Sequence, residues 1–131
     1  MATTLIRPGQ APAAPTMSRF ALTSEEVEAG ILELHPRGEL DLAVADRLAD
    51  SIAAACQDGY SVLVDLADLE FIDSTGIAVL IRGWAAQADE GLRLVAARPA
   101  RQVKRVLELV GMSDHGVVFA DRAEALEALR R

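Results

Sequence analysis

The side chains with the clearest chemical potential are two adjacent hydroxyls, Ser74 and Thr75, which stand between Asp73 and Gly76. A serine hydroxyl becomes a nucleophile when a general base activates it, whereas Asp73 or Ser74 at a helix start can simply cap the free backbone amides. The sequence therefore offers two hypotheses for this stretch, a reactive hydroxyl or a plain helix cap.

The catalytic hypothesis needs a base and a group that orients it. His35, His115 and the single cysteine, Cys56, are the other residues that could form a nucleophile and base. Cys56 falls on the predicted core face of a helix, and no orienting group is evident beside either histidine. We therefore predict a binding protein rather than an enzyme, with Cys56 as a buried structural thiol.

A run of acids before the hydroxyls could suggest a Mg²⁺ site, since carboxylate oxygens are its preferred ligands. These acids are Asp65, Asp68, Glu70 and Asp73. They fall on a strand end and a predicted solvated loop, where their oxygens do not converge. No metal or cofactor is expected.

Composition narrows the class of partner. The chain has 131 residues, 51% of them hydrophobic, and a formal net charge of −7. This charge repels phosphate backbones and anionic membranes, so direct nucleic-acid or membrane binding is not expected. One cysteine permits no internal disulfide, and no apolar run is long enough to span a bilayer, which predicts a cytoplasmic protein.

The first residues differ from the remainder. Residues 1–17 contain Pro8, Pro12 and Pro15 among small residues, without any period that could bury a face. We predict a flexible tail over 1–17 and a single folded domain over 18–131.

Hydrophobic periodicity across that domain predicts strands alternating with helices. Phe20–Leu22 and Ile31–Leu34 are typical of an antiparallel pair, and Pro36 and Gly38 should end the second strand. Asp41 is expected to N-cap the first helix, which runs to about Gln57. The remaining predicted elements are a buried strand at Val62–Val64, a loop at Leu66–Asp73, a helix at Ser74–Asp89, a strand at Leu92–Ala96, a helix ending before Gly111, a strand at Val117–Phe119 and a last helix capped by Asp121. The fold class is α/β, a mixed and mainly parallel β-sheet of about five strands with about four α-helices.

The helix from Ser74 carries two apolar faces. Its predicted core stripe is Ile77, Leu80, Ile81, Trp84, Ala85 and Ala88, and the face left over holds Ala78, Val79, Arg82, Gly83 and Ala86. One hypothesis makes this second face a docking surface together with the loops at Asp41 and Asp73. The alternative, of equal weight, is that a neighbouring helix covers Val79 and Gly83.

Several motifs appear in a specific order. They are Gly38–Asp41, Val64–Leu66, Leu69 with Phe71–Gly76, and Val103–Leu107 with Gly111. In this order and context they resemble STAS domains, specifically the bacterial anti-sigma factor antagonists, over about residues 18–130. The resemblance implies that the dephosphorylated protein binds an anti-sigma factor that is also a serine kinase, and so releases a sigma factor. It implies further that the kinase phosphorylates Ser74 and that a serine phosphatase reverses this.

The residues around Ser74 then form the expected partner-binding site, namely Asp41, Asp73, Thr75, Gly76, Ala78, Val79 and Arg82. At a helix start four backbone N–H groups lack intrahelical partners, so a phosphate on Ser74 should leave the helix intact. The switch would then act at the interface, where a loss of about 3 kcal/mol weakens binding roughly a hundredfold.

Two other functions stay open. The chain could be a STAS scaffold or interaction module of a larger signalling or transport complex, without phosphorylation. It could also be a phosphoaspartate receiver that uses Asp65, although it lacks the paired acids and the late lysine that such a site needs.

Overall fold

The computed structural model describes residues 20–131, and the predicted tail over 1–17 lies outside them. The strands are β1 (Ala21–Glu28), β2 (Ile31–Leu40), β3 (Ser61–Asp65), β4 (Leu69–Ile72), β5 (Leu94–Ala97) and β6 (Val118–Phe119). The helices are α1 (Ala45–Gln57), α2 (Ser74–Asp89), α3 (Arg101–Leu109) and α4 (Arg122–Arg130), with a 3₁₀ helix at Met112–His115 before β6. The predicted alternation of strands and helices is confirmed.

The sheet has the order β1-β2-β3-β5-β6. Its first pair is antiparallel and the other pairs are parallel, as predicted. The strand β2 is longer than expected because it continues through Pro36 and Gly38 to Leu40. Its first half pairs with β3, whereas its last residues pair with β4. The predicted loop at Leu66–Asp73 therefore contains a sixth strand, which forms because the extended end of β2 offers it a partner.

Both faces of the sheet are covered. The larger core joins α1, α2 and α3 to one face, with Val62 and Val64 of β3 pointing into it. The smaller core lies beneath α4 and includes Leu63 from the same strand. The prediction of a central strand buried on both faces is confirmed. No helix within residues 20–131 is long and apolar enough to cross a membrane.

The second apolar face of α2 packs against α1. Val79 is only 6% exposed, and a Cβ added to Gly83 would lie 2.9 Å from Cγ2 of Ile52 in α1. Glycine at this position lets the two helices approach closely. The neighbouring-helix alternative is therefore correct for Val79 and Gly83, whereas Ile81, Ala85 and Ala88 of the predicted core stripe are exposed.

The helix α2 also buries a polar side chain. Gln87 is fully buried, and within residues 20–131 neither its Nε2 nor its Oε1 has a hydrogen-bond partner. An unsatisfied buried amide costs about 1–3 kcal/mol.

We expect Gln87→Met, which keeps the length of the side chain, to raise the free energy of unfolding by about 1 kcal/mol, measured by urea denaturation. Gln87→Ala is the control, because its cavity should destabilise the fold; a loss of stability in Gln87→Met would contradict this prediction.

Candidate functional site

The N-terminus of α2 is capped by Asp73. Its Oδ1 accepts hydrogen bonds from the backbone N–H groups of Thr75 at 2.9 Å and Gly76 at 3.0 Å, and from the Thr75 hydroxyl at 2.5 Å. The hydrogen bond from the Thr75 hydroxyl, followed by that from the Gly76 amide, holds the pKa of the Asp73 carboxyl below its usual range. Asp73 is therefore an ionised helix cap.

Ser74 is the first residue of α2 and is exposed. Among residues 20–131 no group hydrogen-bonds to its hydroxyl, because Asp73 rather than Ser74 caps the helix. The backbone amides of Thr75 and Gly76 already donate to the Asp73 carboxylate, so they are not open to a phosphate on Ser74. A charged group on Ser74 would thus face solvent beside a carboxylate.

Thr75 and Gly76 serve the geometry of the helix start. The Thr75 hydroxyl is engaged with Asp73, and Gly76 is buried. A Cβ on Gly76 would lie 2.7 Å from Cγ1 of Ile72 and 2.9 Å from Cγ of Leu40. Gly76 therefore lets α2 pack directly on the ends of β4 and β2, and its burial leaves it little surface for the predicted partner contact.

The loop between β2 and α1 lies against the same cap. The backbone N–H of Leu42 donates to Oδ2 of Asp73 at 3.2 Å, and the Leu42 side chain is 75% exposed. Asp41 caps the turn and not the helix, since its Oδ1 accepts from Ala43 while Val44 is the helix N-cap. Leu42 was not among the predicted site residues, although its position as an apolar residue next to a turn-forming aspartate was a signal for it.

The surface around Ser74 is consequently smaller than predicted. Of the proposed contacts on α2, Ala78 is half-buried and Arg82 is exposed, whereas Val79 lies in the core and cannot contact a partner. Phe71, on the strand that leads into the site, is also exposed. Exposed apolar side chains thus lie on both chain segments next to Asp73, at Leu42 and Phe71.

Asp65, the candidate phosphoaspartate, is engaged elsewhere. It is 2% exposed and receives two hydrogen bonds from Arg98, at 2.6 and 3.2 Å, and one from the backbone N–H of Ala67 at 3.1 Å. Burial raises the pKa of Asp65, but the bonds from Arg98 and Ala67 more than offset this and lower it. A carboxylate held in this way is not available for phosphorylation. No group of metal-ligating side chains forms within the described part of the chain.

The contribution of the cap can be measured. We expect Asp73→Ala to lower the free energy of unfolding by about 1 kcal/mol, and at most about 2 kcal/mol, because the amides of Thr75 and Gly76 lose their acceptor. Ser74→Ala is the matched control and should stay within about 0.5 kcal/mol of wild type, since its hydroxyl has no partner among the described residues. Chemical denaturation monitored by circular dichroism distinguishes the two, and equal losses would argue against Asp73 as the cap.

These features define a small mixed α/β domain with an exposed serine at a helix start, near the carboxyl ends of two parallel strands. The family model described as "Mlab, STAS domain" matches residues 22–126. The chain belongs to this family of STAS domains, and the predicted resemblance is confirmed.

Named relatives agree with this assignment. The anti-sigma-B factor antagonist of Listeria monocytogenes is 21% identical over 96 residues, which cover 72% of this chain and 84% of that protein. An anti-sigma factor antagonist from Mycobacterium paratuberculosis has the same fold, with a TM-score of 0.79 and 21% identity over 90% of this chain and 100% of that one. The Bacillus cell fate determinant SpoIIAA in its phosphorylated form gives a TM-score of 0.68 and 20% identity, with 82% and 98% of the two chains covered.

Proposed function

We propose that this protein is an anti-sigma factor antagonist controlled by phosphorylation of Ser74. In its dephosphorylated form it binds an anti-sigma factor that is also a serine kinase, and this binding releases a sigma factor in the cytoplasm. The kinase phosphorylates Ser74 and thereby ends the interaction, and a serine phosphatase restores it. The protein itself acts as a substrate and a binding partner, without catalysis of its own.

The observation that carries this proposal is the exposure of Ser74, whose hydroxyl has no hydrogen-bond partner among residues 20–131. It is exposed at the first residue of α2, whereas Asp73 caps the helix and engages the neighbouring Thr75 hydroxyl. A kinase can therefore reach Ser74 without breaking any contact of the described fold. Thr75 is the poorer acceptor, because its hydroxyl would first have to leave Asp73.

The proposed contact surface consists of Leu42, Phe71, Ser74, Ala78 and Arg82. It combines exposed apolar side chains, whose burial would favour association, with a position where a charge can be added. A phosphate adds about −1.5 to −2 charges beside the Asp73 carboxylate. Because Asp73 already occupies the nearest helix amides, a bound partner would have to cover this charge without local compensation.

The function is tested with the protein from its own cells. We expect intact-mass and peptide mass spectrometry to detect phosphate on Ser74, and affinity capture of the dephosphorylated chain to recover an anti-sigma factor with kinase activity. With ATP, that kinase should phosphorylate wild type and Thr75→Val but not Ser74→Ala. If no phosphate appears on Ser74 under any of these conditions, the phosphorylation switch is wrong and the scaffold alternative is favoured.

A further inference from the structure

A cavity lies away from Ser74, at the other end of the parallel strands. It is a partly open cavity of about 430 Å³ between the last turns of α2 and α4, the beginning of β5 and the segment that leads into β6. Ser74 follows the carboxyl end of β4, whereas this cavity adjoins the amino end of β5 in the same parallel part of the sheet. Its volume is within the range of about 300–1,000 Å³ that is usual for small-molecule sites.

The wall of the cavity has an aromatic part. Trp84, the single tryptophan of the chain, is half-buried there, and its ring centroid lies 4.9 Å from that of His115 at an interplanar angle of 54°. Both side chains line the cavity, and Leu94 and Val117 add apolar surface. A planar apolar group can pack against Trp84 and these aliphatic side chains.

The charged side chains that line the cavity are both positive. Arg93 and Arg131 line the cavity, and among residues 20–131 no Asp or Glu does, although the chain carries a net charge of −7. Nη1 of Arg93 donates to the backbone carbonyl of Ala128 at 2.9 Å, which fixes the guanidinium. A guanidinium has five N–H donors, so Arg93 keeps donors for an anionic group.

From this combination we propose that the cavity is a binding site for a small aromatic carboxylate. Its ring would pack against Trp84 and its carboxylate would accept hydrogen bonds from Arg93, with Arg131 contributing a second positive charge. This site is separate from the proposed phosphorylation surface, and it does not depend on that function.

The test uses three probes of one shape and different charge: naphthoate, naphthylmethanol and naphthylmethylamine. Each is titrated to millimolar concentration into the full chain labelled with ¹⁵N. Trp84 provides a single indole N–H signal, so a shift of that signal reports the cavity directly. We expect naphthoate to shift it in a saturable way, the neutral alcohol to bind at least about tenfold more weakly, and the amine not to bind.

Two variants test the arginines of the cavity, and a third variant at an arginine outside the cavity is the matched control. Arg93→Gln and Arg131→Gln should each weaken naphthoate binding, the former by about tenfold, whereas Arg105→Gln on the exposed side of α3 should not. Amide spectra away from the cavity show whether Arg93→Gln keeps the fold after losing its bond to Ala128. The proposal is overturned if naphthoate leaves the indole signal unchanged, if the amine binds as well as the acid, or if Arg93→Gln binds naphthoate like wild type.

Discussion

Arg98→Met is expected to lower the free energy of unfolding by about 3 kcal/mol at neutral pH. The reason is the nearly complete burial of Asp65, whose two carboxylate oxygens are both held by the Arg98 guanidinium. Removal of one member of a fully buried ion pair costs about 3–5 kcal/mol, and the low end applies here because the Arg98 side chain is 45% exposed. Methionine keeps most of the aliphatic contact of arginine, so the loss reports the charge. Urea denaturation of both proteins measures it.

A second substitution separates charge from packing. Asp65→Asn in the Arg98→Met background removes the buried charge, while Oδ1 can still accept the bond from the backbone N–H of Ala67. We expect this double variant to be clearly more stable than Arg98→Met alone. If the single and double variants were equally unstable, an uncompensated carboxylate would not be the cause. Arg98→Gly is a poor substitute, since Arg98 has φ of +56° and glycine would also relieve that backbone strain.

The pH dependence of this loss has a defined sign. In wild type the pKa of Asp65 lies below its usual value, so its contribution is present above the unfolded pKa of about 3.9 and is lost as pH falls through the folded pKa. Without Arg98, burial is opposed only by the amide of Ala67 and the charge of His35, so the pKa of Asp65 rises relative to the wild-type protein. The stability that ionised Asp65 contributes above its unfolded pKa is then smaller in the variant. The difference between the two proteins should therefore be largest near neutral pH and should narrow below about pH 4.

Phosphorylation of Ser74 is expected to weaken binding to the anti-sigma factor about hundredfold, and Ser74→Asp at least tenfold, with the fold unchanged. The fold should persist because Ser74 is exposed and its hydroxyl supports no other described residue. Binding should fall because the new charge adjoins Asp73, whose carboxylate already holds the nearest amides. Titration calorimetry with the partner, together with thermal unfolding of each form, measures both effects.

The control for net charge is Gln102→Asp, on an exposed position of α3. It adds the same single negative charge as Ser74→Asp but lies outside the proposed contact surface, and it should bind like wild type. Ser74→Ala should also bind like wild type and should resist inactivation by the kinase. If Ser74→Asp bound as tightly as Ser74→Ala, a switch based on charge at this position would be wrong.

The local features of the site could be predicted from sequence because they depend on short stretches of chain. The helix beginning at Ser74, the central strand around Leu63 and the antiparallel opening pair all follow from periodicity and from turn residues, and the structure has them. The position of Asp73 directly before an apolar helix likewise indicated a cap. Hydrogen bonds and side-chain spacing within a few residues decide these features.

The features that were predicted wrongly or missed depend on contacts between segments that are distant in sequence. The strand β4 was predicted as a loop because four residues with two exposed side chains show little period, and only pairing with the end of β2 makes them a strand. Val79 was placed on a docking surface because the sequence pattern of α2 does not indicate which other helix packs on it. In the structure, α1 covers it. Leu42 was overlooked because its closeness to Asp73 arises from two loops 31 residues apart.

By itself, the sequence determined that a hydroxyl pair stands where a buried strand region leads into a helix, and its motifs indicated the STAS family. Only the tertiary structure decided which hydroxyl is exposed. The Thr75 hydroxyl donates to Asp73, the amides of Thr75 and Gly76 also donate to Asp73, and Ser74 is left exposed. The physical reason is that one carboxylate has a limited number of acceptor positions, and the packing of Gly76 onto Leu40 and Ile72 sets which donors reach it.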